Sequence, residues 1–220
     1  MYRLIVGTKN WSSWSLRPYL AIRATGAPFE EITIALRRAD TRAQIRRLTP
    51  SHRVPVLFVT EGEREFAVFD SLAICEALAE RHPEAGLWPV DPSARARARS
   101  ISAAMHSGFA PLRETLSMEF ARRLPTPPLG NTVLADIEEI TGYWQEALDA
   151  RHGQGEFLFG RFSIADCMYA PVVSRFRTYG ISLPAPLQEY CDLIWGLPAM
   201  QDWLSAAEAE VRDGLLAPAT

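Results

Sequence analysis

Strand-type segments stop at Phe69, and every periodic segment after Ser93 reads as helix. This asymmetry constrains the fold more than any other feature. A sheet can be built only from the first third of the chain, and the remainder must bury itself as helix on helix. In that first third, residues 4–6 form a short apolar strand. Residues 16–24 read as a helix stopped by Gly26 and Pro28. Residues 29–34 alternate and carry β-branched side chains, a second strand. Residues 37–48 are polar, a short helix ending before Pro50. Residues 54–59 are a third apolar run. Residues 60–64, with Gly62, make a hairpin-sized turn into a fourth strand at 65–69. Residues 71–81 form a helix with Leu72, Ile74, Cys75 and Leu78 on its apolar side. The order β-α-β-α-β-β-α predicts a parallel, right-handed first unit and an antiparallel final hairpin. The expectation is a small mixed sheet with helices on its faces.

Pro83, Gly86, Pro89 and Pro92 then interrupt the chain, because a proline disfavours helix before it. We expect a first domain over 1–82, a linker over 83–92 and an all-helical second domain over 93–220. The fold class is α/β plus all-α. Helices are predicted at 93–109, 111–124, 131–151, 163–179, 186–195 and 198–211.

A content of 48% hydrophobic and 22% charged residues suits packed cores rather than a disordered chain. The formal net charge of −3 argues against nucleic acid as a partner. Lys9 is the only lysine, and Arg95, Arg97 and Arg99 read as a solvated helix face. The first apolar run is too short for a secretory signal. No stretch approaches the roughly 18 apolar residues of a membrane span. The cysteines, Cys75, Cys167 and Cys191, are three in number and form no CxxC pair, so buried thiols in a reducing cytoplasm are expected. His52, His82, His106 and His152 have no metal-ligand spacing, so no metal is expected. Phosphate-loop, dinucleotide and nucleophile-elbow motifs are absent.

Four short motifs carry chemistry. Trp11-Ser12-Ser13-Trp14-Ser15-Leu16-Arg17-Pro18 lies between the first strand and the first helix. Its hydroxyls either cap that helix or, with the positive helix end, stabilise an anion. Pro18 suits a first helical turn better than an interior. Arg53-Val54-Pro55-Val56 precedes a strand, where Pro55 is an ordinary turn residue or a cis proline presenting the backbone of Val54 to an extended ligand. Asp70-Ser71 starts a helix and reads as a cap or as a pair for a ligand's amine and carboxylate. Ser163-Ile164-Ala165-Asp166 reads as a capping box.

In this order the motifs resemble the cytosolic glutathione transferase family across essentially the whole chain. Residues 12–17 are similar to the S-S-C-x-W-R segment of the zeta class and to the serine motif of tau and phi relatives. Residues 49–55 resemble N-P-x-G-K/Q-V-P, and Asp70-Ser71 matches the E/D-S pair. Trp14 stands where zeta members carry cysteine, and His52 where glycine is common. The resemblance implies a thioredoxin-like N-terminal domain, a helical C-terminal domain, a cis Pro55, a cytoplasmic homodimer, and glutathione as co-substrate beside a small hydrophobic electrophile. Ser12, with Ser13 as alternative, would donate to the glutathione thiolate. Val54 would pair with the cysteinyl backbone and Arg53 with the glycyl carboxylate. Asp70 and Ser71 would take the γ-glutamyl amine and carboxylate. Met105, His106 and Phe109, on an early turn of the first helix of the second domain, are candidates for the electrophile site, with core packing as the alternative for Met105 and Phe109. Three functions follow: conjugation, including peroxidase activity; a zeta-type isomerisation; and a binding scaffold without catalysis.

Overall fold

Alternation along the first strand, β1 (Tyr2–Gly7), sorts the core of the N-terminal region. Leu4 and Val6 face one side of the sheet and Ile5 the other, as a period of two requires. The computed structural model of the chain describes residues 1–151 and 153–216, so His152 and residues 217–220 lie outside the described residues. After β1 come α1 (Ser13–Thr25), β2 (Phe29–Ile34), α2 (Thr41–Leu48), β3 (Val56–Glu61), β4 (Arg64–Phe69) and α3 (Ser71–Arg81). The strands form one sheet in the order β2-β1-β3-β4. β1 and β2 are parallel and β3 and β4 antiparallel, as the element order predicts, and β1 and β3 are also antiparallel. Ile5, Ile34 and Val56 pack against Ile45 and Leu48 under α2. The opposite face joins Leu4, Val6, Leu57 and Val59 to Leu16, Leu20, Ile74 and Leu78 of α1 and α3. Each such buried aliphatic side chain contributes about 1.5–3 kcal/mol.

The helical region contains α4 (Pro92–Ser107), α5 (Ala110–Thr115), α6 (Asn131–Ala150), α7 (Ile164–Tyr179), α8 (Ala185–Gly196) and α9 (Pro198–Arg212). α7 is buried almost all round and packs on α1, α4 and α8, so it is the shared core of both regions. Asp166 anchors its start. The Ser163 N–H and hydroxyl donate to Asp166 Oδ2 at 2.8 and 2.9 Å, and the Leu158 N–H and Tyr190 hydroxyl donate to Oδ1 at 3.3 and 3.2 Å. Burial nevertheless pushes the Asp166 carboxyl up to about 6.

Two expectations need correction. α1 begins at Ser13, so Pro18 lies in its interior, where it deprives the Trp14 carbonyl of its i+4 donor. The predicted helix over 111–124 stops at Thr115. The following segment gives its backbone groups to tertiary partners instead. The Phe120 N–H donates to the Asn10 carbonyl (3.1 Å), the Leu124 N–H to the Thr178 carbonyl (2.9 Å), and the Thr178 hydroxyl to the Glu119 carbonyl (3.0 Å). Arg95, Arg97 and Arg99 lie half-buried to exposed on α4, each with a partner. Arg97 pairs with Glu146, Arg99 with Glu76 at 3.4 Å, and Arg95 donates to the carbonyls of Pro89 and Val90.

Candidate active site

Strand register gathers the predicted motifs at one end of the sheet. Ile5 lies opposite Val56, and Val56 opposite Phe69. The end of β1, the start of β3 and the end of β4 are therefore neighbours. The 8–12 loop, the cis Val54–Pro55 bond and Asp70-Ser71 all emerge there. So do the N-termini of α1 and α3, whose free N–H groups favour negative charge.

Ser12 occupies the N-cap position of α1 but makes no capping bond. Its hydroxyl donates instead to Ser15 Oγ at 2.7 Å, and that oxygen also accepts the Gly7 N–H at 3.1 Å. Ser12 is 5% exposed and Ser15 fully buried. Plain capping is thus excluded for Ser12. Ser13 is buried as the first residue of α1, and its N–H donates to the Trp11 carbonyl at 3.1 Å.

Tertiary contacts hold the loop before Ser12. Glu210 of α9 accepts the N–H groups of Lys9 (2.7 Å) and Asn10 (2.9 Å). Asn10 donates to Glu119 at 2.7 Å and accepts the Ala121 N–H at 2.9 Å, while the Trp11 indole donates to Glu119 at 3.0 Å. Lys9 Nζ lies 2.6 Å from Glu31 and over the rings of Tyr19 and Trp203.

Asp70 has φ 78° with ψ 136°, a positive-φ conformation that a non-glycine residue holds only under compensation. Its Oδ1 accepts the N–H groups of Leu72 (2.9 Å) and Ala73 (3.3 Å), so the capping reading holds here. Ser71 is 1% exposed, and its hydroxyl has no hydrogen-bond partner among the described residues. A buried hydroxyl left this way costs about 1–3 kcal/mol, which a ligand oxygen would recover. Arg53 is exposed, Val54 half-buried and Pro55 buried. His52 has φ 55°, a backbone conformation that favours glycine.

The electrophile candidates separate. Met105 and His106 sit on the last turn of α4, not an early one, and Phe109 lies beyond it as the N-cap of α5. Met105, at 1% exposure, and Phe109, at 8%, belong to the core. His106 alone reaches the sheet end, with Nε2 3.2 Å from Asp70 Oδ2. Its ring meets Trp14 edge-on at 5.3 Å, and the guanidinium groups of Arg17 and Arg113 lie 4.4 and 4.8 Å from the Trp14 ring centre. Burial first, then Arg113 and Arg175, push the Arg17 guanidinium down to about 9. All three cysteines are free and buried, and burial raises the thiol of each. No group of side chains that could hold a metal ion occurs among the described residues.

Sequence reasoning missed Ser15 as the partner of Ser12 and Asn10 as the clasp of the loop. The i, i+3 spacing of Ser12 and Ser15 is the one signal that pointed there. Nothing local marks Asn10, because its partners lie more than a hundred residues away.

Family models for the N-terminal and C-terminal domains of glutathione S-transferase match residues 11–81 and 103–206. A probable maleylacetoacetate isomerase of Caenorhabditis elegans is 37% identical over 100 residues, 46% of this chain and 44% of that one. A maleylacetoacetate isomerase of Rattus norvegicus is 35% identical over 176 residues, 78% of this chain and 76% of that one. A Burkholderia glutathione transferase homologue, solved with bound glutathione, superposes with a TM-score of 0.71 at 25% identity, covering 94% of this chain and 98% of that one. A maleylacetoacetate isomerase from Anaeromyxobacter dehalogenans, solved with glutathione in its active site, gives 0.62 at 26% identity over 92% and 94% of the two chains. With two family models on about four-fifths of its length and the candidate motifs assembled at one sheet end, the chain belongs to the glutathione S-transferase family.

Proposed function

We propose that this chain binds glutathione at the sheet end and activates its thiol for attack on an electrophilic carbon. The observation that carries this reading is Ser12, an N-cap serine whose hydroxyl does not cap but is held on Ser15 beside the start of α1. A free thiol has a pKa of about 8.5, so only a few percent is thiolate at neutral pH. A hydroxyl donor and a positive helix end together stabilise the anion and lower that value by about one unit or more. On binding, Ser12 turns its one hydroxyl proton from Ser15 Oγ to the sulfur and accepts the Ser15 hydroxyl proton in exchange; it forms no bond to the electrophile, and the attacking electron pair is the thiolate's.

The other residues hold the tripeptide. Val54 offers its backbone to the cysteinyl segment, and Arg53 faces the glycyl carboxylate. Asp70 takes the γ-glutamyl ammonium on the oxygen not used for capping. Ser71 takes the γ-glutamyl carboxylate, and its buried, unpartnered hydroxyl is the feature that suits glutathione. We place the boundary between the glutathione-binding and helical domains in residues 83–92, and the protein in the cytoplasm as a homodimer.

A second reading is glutathione-dependent cis–trans isomerisation, favoured by the names of the two curated relatives. Trp14 in place of the zeta cysteine stands against it. Purified protein assayed with a halonitroarene and with maleylacetone separates the two. We expect conjugation of the halonitroarene. Turnover of maleylacetone alone would select the isomerase, and absence of both activities together with no glutathione binding would refute thiol activation.

A further inference from the structure

We propose that His106 is a positioning residue for the glutathione amine, acting through Asp70. This rests on the reading that Asp70 holds the γ-glutamyl ammonium. The two side chains come from different regions of the chain, His106 from the last turn of α4 and Asp70 from the start of α3. His106 Nε2 lies 3.2 Å from Asp70 Oδ2.

The ring's other nitrogen identifies the role. Nδ1 is buried and has no hydrogen-bond partner among the described residues. The ring edge packs on Trp14, a contact that any aromatic side chain would make. If packing were its whole purpose, phenylalanine would serve without burying an unsatisfied nitrogen. The polar use of the ring is therefore Nε2 toward Asp70.

Asp70 needs such a partner. Its carboxylate is fixed at one end, where Oδ1 accepts the Leu72 and Ala73 N–H groups. Its side chain is 44% exposed, so Oδ2 would otherwise sample solvent. An ionised carboxylate oxygen has two acceptor directions. With His106 Nε2 3.2 Å away on one side of Oδ2, the open side of that oxygen is set toward the ligand before it arrives, which reduces the ordering cost of binding. The helical region thereby sets the anchor of the co-substrate held by the sheet region.

Two tripeptides test this by calorimetry: glutathione, and glutaryl-cysteinyl-glycine, in which hydrogen replaces the γ-glutamyl ammonium. Wild type should bind the analogue about 10- to 100-fold more weakly, the usual range for losing one charge-assisted hydrogen bond. His106→Phe should weaken glutathione about 5- to 10-fold and leave the analogue within about twofold. His106→Gln, which keeps an N–H donor, should recover most of the loss. Equal weakening of both ligands, or no weakening of either, would overturn the role of His106. A wild type that does not distinguish the two tripeptides would instead overturn the role of Asp70.

Discussion

Removing the Ser15 hydroxyl isolates the support beneath Ser12. In Ser15→Ala the buried Gly7 N–H loses its acceptor, and the Ser12 hydroxyl loses its partner at 2.7 Å. Ser15 is fully buried, so water does not replace the missing oxygen. An orphaned buried donor costs about 1–3 kcal/mol. The methyl that remains leaves almost no cavity, so we expect about 2 kcal/mol of lost stability. For a chain of this size that is a fall in Tm of about 4–8 °C. The Ser12–Ser15 bond itself contributes about 1 kcal/mol net. It is already absent in Ser12→Ala, so the double mutant should cost about 1 kcal/mol less than the sum of the single changes. Urea unfolding of the four species, followed by tryptophan fluorescence at one protein concentration, measures both quantities. Ser15→Ala should also lower turnover, because the Ser12 hydroxyl is no longer held in place. A loss under about 0.5 kcal/mol, or strict additivity, would refute the support role.

His52→Gly should raise stability by about 0.5–1 kcal/mol, because the left-handed conformation at φ 55° penalises a side chain more than glycine costs in the unfolded chain; a lowered urea midpoint would contradict this. Asp166 should make stability depend on pH. Its folded pKa, raised by burial to about 6, exceeds the unfolded value, so its contribution is full below about pH 3.9 and is lost as pH rises through about 6. The difference in unfolding free energy between wild type and Asp166→Asn should therefore shift by about 2 kcal/mol between pH 4 and pH 7, and a flat difference would show that the four donors around the carboxylate cancel its burial.

The sheet was legible because its strands announce themselves by alternation and its turns by glycine and proline. Residues 29–34 and the Gly62 hairpin fell where the period placed them. The motif residues also gathered as the resemblance implied, because strand register alone brings residues 54 and 70 beside the end of β1. What stayed hidden was tertiary. Residues 116–124 carry an acceptable helical pattern, yet Asn10 and Thr178 take their backbone groups, and no local signal encodes that competition. Met105 and Phe109 read equally as cleft or core, and packing against the rest of the helical region decided for core. Pro18 misled because its preference for a first turn was weighed without the packing of α1 on α3 and α7, which sustains the helix through it.

Thiolate absorbance of bound glutathione, titrated against pH in wild type, Ser12→Ala and Ser13→Ala, bears most directly on the proposed chemistry. The wild-type thiol should ionise about one unit or more below the free value of about 8.5. Ser12→Ala should return it most of the way, and Ser13→Ala should leave it near wild type. An unchanged titration in Ser12→Ala, with the shift appearing in Ser13→Ala, would contradict the assignment of Ser12 as the donor to sulfur.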